Sequence, residues 1–131
     1  MNFKKGINPQ DLEEIQAHLF MLLGEFVYYA EMRDLSVIVT SIKDKANGRV
    51  SKTHEEGRAI DFSVRSWSKL EIDETVEYFN YYYEHLGAIS ARDGIPRVIV
   101  HHKVEGGAWH FHMQVRDKKY LSVEYLQSRT L

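Results

Sequence analysis

Apolar residues recur at helical spacing through Leu12, Ile15, Leu19, Leu22, Leu23, Phe26 and Tyr29, and Pro9-Gln10-Asp11 supplies a start signal, so the pattern predicts a helix over 9–33. Its apolar stripe assigns that helix to the core. Residues 37–42 are apolar and β-branched enough for a buried strand, and 43–53, which contain Asn47-Gly48, predict an ordered loop. Over 59–64 the period changes to two: Ala59, Asp61 and Ser63 alternate with Ile60, Phe62 and Val64, which places Asp61 opposite the large apolar side chains. A second helix is expected over 73–86 on Val76, Phe79, Tyr82, Tyr83 and Leu86, and Gly94-Ile95-Pro96 interrupts the pattern before another strand.

Residues 97–103 and 109–115 then read as a hairpin joined by the five residues 104–108. In the second of these strands His110, His112 and Gln114 share one face, while Trp109, Phe111 and Met113 share the other. If Lys103 pairs with Trp109, His102 lies opposite His110 and His101 points away. Tyr120, Leu121, Val123 and Leu126 predict a short closing element. The expected architecture is α+β, two main helices on a mostly antiparallel sheet, in a single domain over 1–131 with no repeat or linker.

Composition narrows the classes of function. The chain is 44% hydrophobic and 27% charged, with a net charge of -2, so neither a basic nucleic-acid surface nor an acidic tail is expected. There is no cysteine, which leaves any metal to His, Asp and Glu. No apolar run approaches the roughly 20 residues that span a bilayer, and Met1-Asn2-Phe3-Lys4-Lys5-Gly6 is not followed by a signal-peptide core. The expectation is a monomer made in the cytoplasm, without a signal peptide and without a membrane or nucleic-acid partner.

The candidate chemistry lies in Ser51-Lys52-Thr53-His54-Glu55-Glu56-Gly57-Arg58-Ala59-Ile60-Asp61-Phe62 and in Trp109-His110-Phe111-His112. His54 and Asp61 offer an imidazole and a carboxylate across a glycine-containing turn, and His112 offers a second imidazole. Three such ligands are a catalytic zinc set, since they leave the fourth position of Zn2+ open.

The order H-x-x-G-x-A-x-D followed by H-x-H resembles the zinc peptidases that cut peptidoglycan stem peptides: the D-alanyl-D-alanine carboxypeptidases and dipeptidases, and the L-alanyl-D-glutamate endopeptidases of phage endolysins, whose fold the Hedgehog signalling domain shares. The likeness runs from about Val37, where Val37-Ile38-Val39-Thr40-Ser41 resembles the strand that opens the family core, to about Val115. It implies a Hedgehog/DD-peptidase-like fold, bound zinc and hydrolysis of a peptidoglycan peptide bond, acting at the cell wall if the protein comes from a phage. Endopeptidase is favoured over carboxypeptidase because no export signal is seen. The same likeness also admits a zinc-binding module without hydrolytic activity.

The family usually places an acidic general base three residues before its last zinc histidine, and here that position holds Trp109. Related murein endopeptidases place a histidine two residues before that ligand, which makes His110 the first choice, with Glu105 in the hairpin connection and His102 as alternatives. A cation from the loop after the first core strand usually lies near the oxyanion; Lys43, Lys45 and Arg49 occupy that loop, and Ser51 matches the S-x-x-H region that orients the metal histidine or binds substrate. His18 and His85 receive no role. The aromatic run Phe79-Asn80-Tyr81-Tyr82-Tyr83 is expected to be mostly core, and Glu13-Glu14 and Lys118-Lys119 to be solvated charges.

Overall fold

The computed structural model describes residues 1–43, 52–103 and 106–121. Strand β1 (Asn2–Phe3) leads through a 3-10 helix, Pro9–Glu14, into helix α1 (Ala17–Glu31) and strand β2 (Ile38–Ser41). Strand β3 (Ala59–Ser63), helix α2 (Lys69–Tyr82) and a 3-10 turn at Glu84–Leu86 follow. Strands β4 (Ala88–Ile89), β5 (Pro96–Arg97), β6 (Ile99–His102) and β7 (His110–Gln114) complete the regular structure, with a last 3-10 turn at Lys118–Tyr120. The class is α+β: a five-stranded sheet in the order β1-β2-β3-β7-β6, antiparallel except for the β1–β2 pair, and a separate β4–β5 ribbon.

One face of the sheet is filled. Ile60 and Phe62 of β3 and Phe111 and Met113 of β7 are buried against Leu19, Leu22, Leu23 and Phe26 of α1 and Phe79 of α2. Phe26 is the hub, its ring centroid 4.5 Å from Phe62, 5.6 Å from Phe79 and 5.9 Å from Trp67. Full burial of a side chain of this kind contributes about 1.5–3 kcal/mol.

The helix expected over 9–33 is in fact two helices. Pro9 starts the first, with Asn8 Oδ1 accepting from Gln10 N at 3.1 Å, and Ile15 is extended (φ −82°, ψ 154°). The break has a tertiary cause. Gln16 N donates to Gly57 O at 2.9 Å, and Gln16 Nε2 donates to Glu56 O at 3.2 Å, so the chain gives up a helical turn to receive the turn around Gly57. Gly57 is at φ +69°, and a Cβ there would stand 2.7 Å from Glu14 O. Both facts require glycine.

Helix α2 begins four residues before the expected Asp73. A reciprocal cap explains it: Ser68 Oγ accepts from Glu71 N at 3.1 Å while Glu71 Oε1 accepts from Ser68 N at 2.7 Å. The helix stops at Tyr82, so Leu86 belongs to the 3-10 turn. The aromatic run divides: Phe79 is buried and Tyr83 half-buried, but Tyr81 and Tyr82 are exposed, contrary to a mostly buried run. Phe79 lies on the stripe facing Phe26, while Tyr81 and Tyr82 fall outside it.

The strand expected over 97–103 divides at Val98. There Asn80 Oδ1 accepts from Val98 N at 2.8 Å and Ile99 N at 3.1 Å, and Asn80 Nδ2 donates to Ile99 O at 2.9 Å, tying α2 to β6. Among the described residues, no helix is long and apolar enough to cross a membrane. Val123 and Leu126 lie outside the described residues.

Candidate metal centre

The unfilled face of the sheet is polar by alternation. Asp61 of β3 pairs directly with His112 of β7, Ser63 with His110, and Ala59 with Gln114. On the other side of β7, His102 pairs with His110 and Val100 with His112, which is the hairpin register expected from the sequence. His101 goes to the opposite face, its ring 4.7 Å from that of Trp109 and 6.0 Å from that of Phe111. Three neighbouring strands thus bring Asp61, His102, His110 and His112 to one surface.

His54 arrives from outside the sheet. Its turn is closed by Gly57 N donating to His54 O at 3.1 Å and Arg58 N donating to Thr53 O at 2.8 Å, and Gly57 anchors it against Glu14–Gln16. The imidazole is 2% exposed. Its Nδ1 donates to Ile42 O at 2.7 Å, which fixes the tautomer and leaves Nε2 with a lone pair. Nε2 makes no hydrogen bond among the described residues and stands 3.2 Å from Asp61 Oδ1.

His112 completes the group. Its Nδ1 lies 2.8 Å from Asp61 Oδ1, and its Nε2 lies 3.1 Å from Gln114 Oε1. The ligand atoms of His54, Asp61 and His112 all fall within 4.8 Å of one another, a spacing in which one cation can touch all three. The donor chemistry fits a metal ion. Each histidine has its second nitrogen held by an oxygen acceptor, as metal-ligating imidazoles usually do, and a buried Nε2 is aimed at the carboxylate. Burial by itself would raise the Asp61 carboxyl, but hydrogen bonding led by His112 outweighs it and holds the group well below the usual carboxylate range. Asp61 is therefore an anion when a cation approaches.

His110 stands at the rim. Its Nδ1 donates to Ala108 O at 3.0 Å, so Nε2 is the free acceptor, and that atom lies 3.7 Å from Asp61 Oδ2. The His102 ring leans on His110 at 4.5 Å and on His112 at 5.4 Å. Desolvation, reinforced by those two neighbouring rings, pushes His102 down to about 4. Trp109 is 55% exposed and packs on His101, on the side of the sheet away from Asp61 and His112.

The other expected site residues are placed differently. Lys43 Nζ is 3.6 Å from Glu14 Oε2, paired toward the first 3-10 helix. Ser51, Arg49, Lys45 and Glu105 lie outside the described residues. His18 Nε2 donates to Arg116 O at 2.6 Å, and His85 is exposed. Two contributors were not singled out from the sequence. The Ile42 carbonyl carries no side-chain signal, whereas Gln114 was visible on the polar face two residues after His112. Comparison with protein-family models, curated proteins and solved structures found no match.

Proposed function

We propose that the protein is a zinc metallopeptidase of the Hedgehog/DD-peptidase type that hydrolyses a peptide bond in peptidoglycan stem or cross-link peptides, with endopeptidase favoured over carboxypeptidase. The observation that carries this reading is the His54–Asp61–His112 group with His110 Nε2 turned toward it. Zinc seated there would supply a Lewis acid for the carbonyl and lower the pKa of water toward neutrality. His54, Asp61 and His112 would hold it, with Asp61 contributing the negative charge.

The proton work falls to His110. Its Nδ1 is occupied by Ala108 O, so Nε2 takes a proton from the attacking water and returns it to the leaving amine. His102 is less suited, because a group that takes a proton only near pH 4 is a weak base at neutrality. Its ring instead packs beside His110 and His112 and helps to fix their orientation.

A non-catalytic zinc-binding module is the second reading, and one observation favours it. Trp109, at the position where the resemblance would put an acidic base, turns away from the centre. Incubation of the zinc-loaded protein with purified peptidoglycan, with products identified by mass spectrometry and zinc quantified in the same sample, separates the two. Stoichiometric zinc with one defined bond cut is the expected result; stoichiometric zinc without cleavage leaves the binding module, and absence of zinc removes both. His110→Ala should keep zinc and lose about 10²–10⁴-fold in turnover.

A further inference from the structure

A groove of about 840 Å³ opens beside the candidate metal centre. Three of its lining residues join the two: Thr53 precedes His54, Val100 faces His112 across the β6–β7 ladder, and Gln114 meets His112 Nε2. The walls carry a charge opposite to that of the chain. Arg58, Arg92, Arg97, Arg116 and Lys119 line the groove against Glu56 and Asp117, in a protein whose net charge is -2.

Several of these cations have structural duties. Arg97 Nη2 donates to Asp93 Oδ2 at 2.8 Å, Arg58 Nη1 to Val115 O at 2.9 Å and Arg116 Nε to Gly87 O at 3.1 Å. Arg92 and Lys119 are exposed and make no ion pair among the described residues. Ile89 and Tyr120, 56% and 44% exposed, add apolar wall. A concave site with apolar walls and a few placed cations suits a small ligand bearing carboxylates, which guanidinium and ammonium groups recognise by charge-assisted hydrogen bonds.

We propose that this groove binds the carboxylate-bearing part of the substrate: an acidic peptide lies in it with its carboxylates on Arg92 and Lys119, and the bond to be cut reaches the His54–Asp61–His112 group past Gln114. The inference rests on the peptidase reading and adds to it the side of the metal centre that takes acidic residues. Arg58 and Arg97, paired with Glu56 and Asp93, shape the wall, and Arg116 adds positive potential that draws acidic ligands toward Arg92 and Lys119.

The test uses the zinc-loaded full chain and two fluorescein-labelled peptides, L-Ala-γ-D-Glu-L-Lys-D-Ala with its carboxylates free and the same peptide with them amidated. Binding is followed by anisotropy and cleavage by mass spectrometry. The free acid should bind at least about tenfold more tightly than the amide. Arg92→Gln and Lys119→Gln should each weaken the acid by about two- to fivefold and leave amide binding and zinc content unchanged. Equal binding of the two peptides, no binding of either, or wild-type affinity in both variants overturns the groove assignment even if the peptide is cut. The expected binding pattern without cleavage keeps the groove and removes the peptidase reading. Tighter binding of a single-stranded oligonucleotide of equal charge overturns the assignment in favour of a nucleic-acid ligand.

Discussion

Strands β3 and β7 present two faces built from alternating residues of the same two segments, and different forces hold those faces. On one, Ile60, Phe62, Phe111 and Met113 are covered by α1 and α2, so dispersion and burial satisfy every neighbour. On the other, Asp61 stands between His54 and His112, and the His54 Nε2 lone pair has no hydrogen-bond donor among the described residues. The first face is complete as folded, whereas the second could hold a cation. A single residue of register slip would exchange the faces and destroy both.

The comparison is broken most severely from the filled side. Phe26→Ala removes the ring around which Phe62, Trp67 and Phe79 pack and should cost about 3–5 kcal/mol, read by chemical denaturation. On the polar side the largest response should come from ligand rather than truncation. Zinc at 100 times its Kd should add about 2.7 kcal/mol of stability, chelator should reverse the gain, and Asp61→Ala should abolish it.

Gly57→Ala should cost at least about 1–2 kcal/mol, since φ is +69° and the new methyl meets Glu14 O. It acts on both faces, by disturbing the docking at Ile15–Gln16 and by shifting His54, so zinc affinity should fall together with denaturation stability. Gln114→Ala should weaken zinc by about tenfold or more while leaving the denaturation midpoint of chelated protein nearly unchanged, which isolates the polar face.

The smallest effect is a pH dependence. His102 is held neutral in the fold down to about pH 4, whereas an unfolded histidine takes its proton near pH 6.5. The unfolded chain binds more protons between those values, so stability should be undiminished above about pH 6.5 and fall as pH drops toward 4. In chelated protein that decline should be shallower for His102→Gln.

The polar face was legible in the sequence because its cause is local. Period-two alternation in 59–64 and 109–115 fixes which side chains share a surface, and a count across the hairpin pairs His102 with His110. The division of the first helix was not legible in the same way. Nothing at Ile15 or Gln16 breaks a helix; the break is made by a turn about 40 residues away in the chain, with Gly57 seated on Glu14 O. Strands β1 and β4 are two residues each and are defined by their partners rather than by a pattern of their own. The Ser68–Glu71 cap, by contrast, was a local S-x-x-E signal hidden by the charged residues around Asp73. The cationic groove was hidden for a different reason, since its charges come from Arg58, the β4–β5 ribbon and the segment after β7, which no sequence window contains together.

Asn80 has a consequence at the margin of the sheet. Strand β6 is an outer strand, and outer strands offer their free backbone groups to any passing extended chain, the usual route to intermolecular sheet growth. Here one amide side chain takes the place of a neighbouring strand, bonding Val98 N, Ile99 N and Ile99 O from the helix above. An invading peptide must displace three hydrogen bonds before it gains its first at this end, so the Val98–Ile99 end of the strand is closed to recruitment by backbone alone.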